Sequence, residues 1–200
     1  MKWLKEETNS FPKNMIEKNI NPRMEKVMLD YTFFSEENYR GIESHREAAV
    51  KTIEVLNSKR LSASKKIIYT DNIYFHDPNS LDVFEMPRDK PYAVNLELMN
   101  AKQITTKIFF GANDVPNTVD TRIYQDAFLK IPFWKHQEAE DFKKINNYLF
   151  PQKENLIVYQ WDNDWSNYFS AGKDGCAASM WTVYDPESNK FTVVSISLSL

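Results

Sequence analysis

Residues 190–200 read Lys190-Phe-Thr-Val-Val-Ser-Ile-Ser-Leu-Ser-Leu200, and Met180-Trp-Thr-Val-Tyr184 stands shortly before them. In the later run Val194, Ile196, Leu198 and Leu200 alternate with Ser195, Ser197 and Ser199. A period of two sends successive side chains to opposite faces, the pattern of a strand with one buried face. Asp185-Pro-Glu-Ser-Asn-Lys190 between the two runs supplies turn-forming residues. The stretch therefore predicts an antiparallel hairpin. It is rich in aromatics, because Trp161, Trp165, Tyr168, Phe169, Trp181 and Tyr184 all crowd this part of the chain.

Working outward, two helices are expected. In the first, over Ser44–Asn57, Ser44 and Glu47 have the spacing of a capping box and Ala49, Val50, Ile53 and Leu56 form an apolar stripe. The second, over Gln137–Leu149, places Phe142, Ile145 and Leu149 on one face and is followed by Pro151. Strands are expected at Lys66–Phe75, Tyr92–Met99, Thr105–Phe110 and Leu156–Trp161, with a long loop over Ala112–Arg122. Residues 1–21, with Pro12 and four Asn, read as an extended N-terminal arm, and a short helix is expected at Met24–Leu29. Strands and helices do not alternate regularly. The fold class expected is α+β, a mainly antiparallel sheet with two principal helices and a C-terminal hairpin, as a single domain over 22–200.

Size and composition narrow the function. Two hundred residues bury roughly 70% of the unfolded surface, enough for a core without disulfides or metals. Aromatics at 14% and only four glycines favour large-residue strands over a Gly-rich nucleotide loop. A net charge of −3 argues against a phosphate-backbone partner, which calls for a basic face. The single cysteine, Cys176, excludes an intramolecular disulfide and a cysteine-based zinc site. No window approaches the ~20 apolar residues of a membrane span, and residues 1–10 lack a secretory apolar core. A cytoplasmic location is the expectation.

Few residues are placed for chemistry. His45 falls in the first turn of its helix and reads as solvated. Phe75-His76-Asp77-Pro78 sits at a strand end, where His76 with Asp77 could act as a base, or form a turn beside a structural histidine. His136-Gln-Glu138 has the H-x-E spacing of zinc deaminases but cannot complete the ligand set with one cysteine. Cys176 lies between Gly172, Gly175 and a strand, and needs a base such as His76 to become a nucleophile. Trp161-Asp162-Asn-Asp164-Trp165 offers two carboxylates, but Asn167 and Lys173 stand where a calcium loop needs Gly and Glu. The aromatics around it either fill a core or anchor a binding patch with an acidic rim of Asp162, Asp164 and Asp174.

With no complete catalytic set, the sequence points to a non-enzymatic cytoplasmic protein-binding module, of bacterial immunity or antitoxin type. Its expected binding residues are Trp161, Asp162, Asp164, Trp165 and Tyr168, and its expected partner is a basic protein. No cofactor, metal, nucleic-acid or membrane partner is expected. The alternative is a small hydrolase or ligand-binding enzyme using His76 with Asp77 or Cys176. A third reading makes Phe191–Leu200 a sheet edge that pairs with another chain.

Overall fold

The computed structural model describes residues 1–22, 24, 27–67, 91–111, 123–129, 138–172 and 178–197. Six strands, β1 (Lys2–Trp3), β2 (Asp30–Ser35), β3 (Ala101–Ile104), β4 (Ile157–Trp161), β5 (Ala178–Asp185) and β6 (Lys190–Ser197), form one sheet. Its order is β1-β2-β6-β5-β4-β3, with every neighbouring pair antiparallel. The helices are α1 (Lys5–Glu17), α2 (Ile42–Ile67), α3 (Thr106–Phe110), α4 (Tyr124–Leu129) and α5 (Ala139–Leu149). The α+β architecture and the C-terminal hairpin are as the alternation predicts, with Asp185 opposite Lys190 at the turn.

Helices cover both faces of the sheet. On one, Phe11 and Met15 of α1, Phe109 of α3, Tyr124 and Phe128 of α4 and Phe142 and Ile145 of α5 pack on Tyr31, Phe33, Trp181, Val183, Val194 and Ile196. On the other, Ala48, Ala49, Ile53 and Leu56 of α2 pack on Phe34, Met180, Tyr184, Phe191 and Val193. The strand expected to be half-buried is thus buried on both sides, Ser195 included. It is also interior, between β2 and β5, so within residues 191–197 the edge expected for pairing with another chain is already occupied.

Elsewhere the fold departs from the sequence reading for identifiable reasons. In place of an extended arm, residues 2–17 form β1 and α1, although Pro12 lies inside the helix. Thr8, Phe11 and Met15 share its buried face, with the Phe11 ring tilted 4.9 Å from Tyr31 and edge-on 5.2 Å from Phe33. Thr8 Oγ1 accepts from the backbone N–H of Phe33 and from Trp3 Nε1, both at 3.1 Å. Burial of two large side chains outweighs the lost backbone bond of one proline. α2 starts at Ile42, after Gly41 at φ +63°, so Ser44 lies inside the helix rather than at its cap. Its Oγ accepts instead from the N–H of Arg40.

Two expected strands are also corrected. Within Tyr92–Met99 there is only a single bridge, Val94 to Ser166, and a 3-10 turn over Leu96–Leu98; the strand lies later, at β3. Where a strand is expected over Thr105–Phe110 stands α3: Thr105 Oγ1 caps it by accepting from the N–H of Ile108, and Gly111 at φ +74° ends the helix. A cap and a left-handed stop override the strand preference of Ile108-Phe109-Phe110. Of Lys66–Phe75, residues 66–67 are the end of α2 and the rest lies outside the described residues.

Candidate functional site

β4 leads directly into the loop that carries Asp162 and Asp164. That loop runs antiparallel to residues 93–100. The N–H of Asp162 donates to the carbonyl of Asn100 at 3.0 Å, and the N–H of Asn95 donates to the carbonyl of Trp165 at 2.7 Å. The Asn167 side chain accepts from the N–H of Ala93 at 2.7 Å. Asn95 in turn caps the Leu96–Leu98 turn, accepting from the N–H of Glu97. Two loops distant in sequence are therefore held as one surface.

The expected aromatic anchors lie beneath that surface. Trp161 is 3% exposed, Trp165 0% and Tyr168 6%, and all three belong to the core on the α2 side. Trp161 and Trp165 meet edge to face at 6.3 Å, and Trp165 meets Phe169 at 5.3 Å. Strand alternation sends Trp161 toward α2, and residues 165–169 fold over the same face, so their rings fill the space between. Asp162 and Asp164 remain exposed. The apolar side chains standing out beside them are Leu96, 60% exposed, and Leu98, 46% exposed, with the exposed Glu97 between them. They have the largest exposure of the large hydrophobic side chains among the described residues. Sequence reasoning missed them by placing 92–99 in a strand.

Leu96 also closes one side of a shallow groove of about 330 Å³ along the outer stripe of α2. The charges there neutralise one another. Arg40 pairs with Glu47 at 2.7 Å, Arg46 with Glu43 at 2.9 Å, and Lys51 with Glu47 at 3.9 Å. Exposed pairs of this kind contribute little to stability.

Beneath α2 runs a buried polar chain that the sequence did not suggest. His45, expected to be solvated, is fully buried. Its Nδ1 is 2.8 Å from Thr182 Oγ1 and its Nε2 3.1 Å from the Tyr39 hydroxyl. Thr182 Oγ1 also accepts from Trp161 Nε1 at 3.0 Å. Burial holds the imidazole down to about 3, well below the ordinary value. Tyr39, stacked flat on Tyr184 at 4.1 Å, is pushed up to about 12 by burial and by the neighbouring Tyr159 and Tyr184. A neutral imidazole with both nitrogens bonded is a structural bracket between the first turn of α2 and the centre of β5.

A second buried cluster sits farther along the same face. The Tyr168 hydroxyl donates to Ser195 Oγ at 3.3 Å, and Asp30 lies opposite Ser195 in the β2–β6 ladder. Burial raises the Asp30 carboxyl above its usual range, against the opposing pull of Lys59 and the Tyr168 hydroxyl. Among the described residues, no group of three His, Cys, Asp or Glu side chains is placed to hold a metal ion. No helix among them is long and apolar enough to cross a membrane.

His76, Asp77, His136, Asp174 and Cys176 lie outside the described residues. Comparison of the chain with family models, with curated proteins and with solved structures finds no match.

Proposed function

We propose that this chain is a protein-binding module that captures a basic partner through Leu96 and Leu98 and the carboxylates of Glu97, Asp162 and Asp164. One observation carries the reading: the backbone pairing of residues 93–100 with 162–167 sets two exposed leucines beside an acidic loop. An apolar anchor with a like-charged rim is the anatomy of an interface, and the rim speeds encounter with an oppositely charged protein. The cations that line the groove with Leu96 (Arg40, Arg46 and Lys51) are paired with Glu43 and Glu47, so they compete little with the acidic rim. A net charge of −3 agrees with a protein rather than a nucleic-acid partner. An immunity- or antitoxin-like role in the bacterial cytoplasm, capping a basic toxin, is the form of this function that the charge favours.

The test is capture of partners by the tagged protein from host lysate at low and high salt, beside Leu96→Ser/Leu98→Ser and Asp162→Asn/Asp164→Asn variants. A stoichiometric basic partner that is lost at high salt and lost from both variants is the expected result. A partner held equally by wild type and both variants, or none at either salt, overturns the assignment.

A further inference from the structure

We infer that the partner contributes an extended segment that adds to the sheet as a seventh strand along the outer edge of β3. The inference rests on the protein-binding reading above and specifies its mode.

β3 is the last strand of the sheet on its side among the described residues. Its register with β4 sets Ala101 opposite Trp161, Lys102 opposite Gln160 and Gln103 opposite Tyr159. One position earlier, Asn100 accepts from the N–H of Asp162. Antiparallel pairs alternate between bonded and non-bonded, so Asn100, Lys102 and Ile104 direct their backbone groups to β4. Ala101 and Gln103 consequently direct N–H and C=O outward. Gln103 is exposed and Ala101 half-exposed. An edge of this kind is a template for an added strand.

The side chains along the edge state what that strand must carry. Ala101 is small and packs against the core on the α2 side, leaving room for a larger apolar side chain opposite it. At the near end, the exposed Glu97 and Asp162 ask for Lys or Arg. In the middle, the exposed Lys102 asks for a carboxylate. The same Lys102 disfavours a second copy of this chain, because antiparallel self-pairing centred on it sets Lys102 against its own counterpart. The occupant is therefore a foreign segment with an apolar residue, a basic end and an acidic residue.

Peptides selected at low salt from a library of random eight-residue sequences provide the probe. Gln103→Pro removes one outward N–H and leaves the β4 ladder intact, a position where an edge strand tolerates proline. The expected result is that the enriched peptides combine apolar and basic residues and bind Gln103→Pro at least tenfold more weakly. Their binding to the wild type should also slow deuterium exchange at the amides of Ala101 and Gln103, a readout that needs no variant. If Leu96→Ser/Leu98→Ser abolishes binding while Gln103→Pro and the two amides are unaffected, strand addition is overturned and the binding surface stands. Indifference to all of these substitutions, or no enrichment, overturns both. A dimer of the purified chain that Gln103→Pro disperses would assign the edge to a second copy and also overturn the proposal.

Discussion

The two faces of the sheet are built on different principles. The face under α1, α3, α4 and α5 is held by aromatic packing: Phe109, Tyr124, Phe128, Phe142 and Trp181 contact one another at 4.7–6.5 Å. Its buried polar side chains include Thr8 of α1 and Asp141 and Asn146 of α5. Tyr31 and Tyr124 share a hydrogen bond of 2.8 Å, and among the described residues Trp181 Nε1 finds no acceptor. The face under α2 is instead bracketed by hydrogen bonds through His45, Thr182, Trp161, Tyr168 and Ser195. Packing tolerates pH, whereas a polar network registers it. The α2 face should therefore be the chemically sensitive half of the molecule, and the aromatic face the larger reservoir of stability.

Four measurements can break or sharpen that contrast. The largest effect is expected for Trp181→Ala, which removes the bulkiest ring from the aromatic face and should cost about 3–5 kcal/mol in denaturant unfolding. A loss below about 1 kcal/mol would mean that this face is not the reservoir.

Acid comes next. His45 is neutral in the fold, held to about 3, but titrates near 6.5 when unfolded. Between these values the unfolded chain binds more protons, so stability should decline as pH falls from about 6.5 toward 3, by on the order of a few kcal/mol. Asp30, raised by burial, works in the opposite sense, because the folded state binds its proton first as pH falls below its raised value. A His45→Gln variant should flatten the slope. An unchanged slope would place the acid sensitivity elsewhere.

A smaller change is expected for Tyr31→Phe, which deletes one of two mutually bonded hydroxyls and should cost about 1 kcal/mol with no change in pH dependence near neutrality. The smallest belongs to Leu96→Ser with Leu98→Ser. Both side chains are exposed, so unfolding free energy should stay within about 0.5 kcal/mol while partner binding is lost. A large stability loss there would make the leucines structural and weaken the assignment of the binding surface.

Legibility followed the range of the interactions involved. The β5–β6 hairpin and the stripe of α5 were readable because alternation and helical spacing are local signals. β2 was missed: Asp30-Tyr-Thr-Phe-Phe-Ser35 is short and its apolar run does not alternate, since both of its faces are covered. α1 was missed because Pro12 and the surrounding polar residues outweigh three buried positions until β2 is there to receive them. Of the expected binding residues, Asp162 and Asp164 could be recognised as exposed from loop chemistry. Whether Trp161, Trp165 and Tyr168 faced inward depended on where α2 came to rest.

The sequence alone therefore determined that this chain pairs antiparallel strands near residues 180–197, carries an amphipathic helix at 139–149 and bears a mild negative charge. Each follows from composition or from a periodicity spanning a few residues. Only the tertiary structure decided that both sheet faces are buried, that His45 is a bracket rather than a surface residue, and that Leu96 and Leu98 stand beside the acidic loop. Periodicity reports how one side of an element differs from the other. It does not report what distant segment arrives to cover either side.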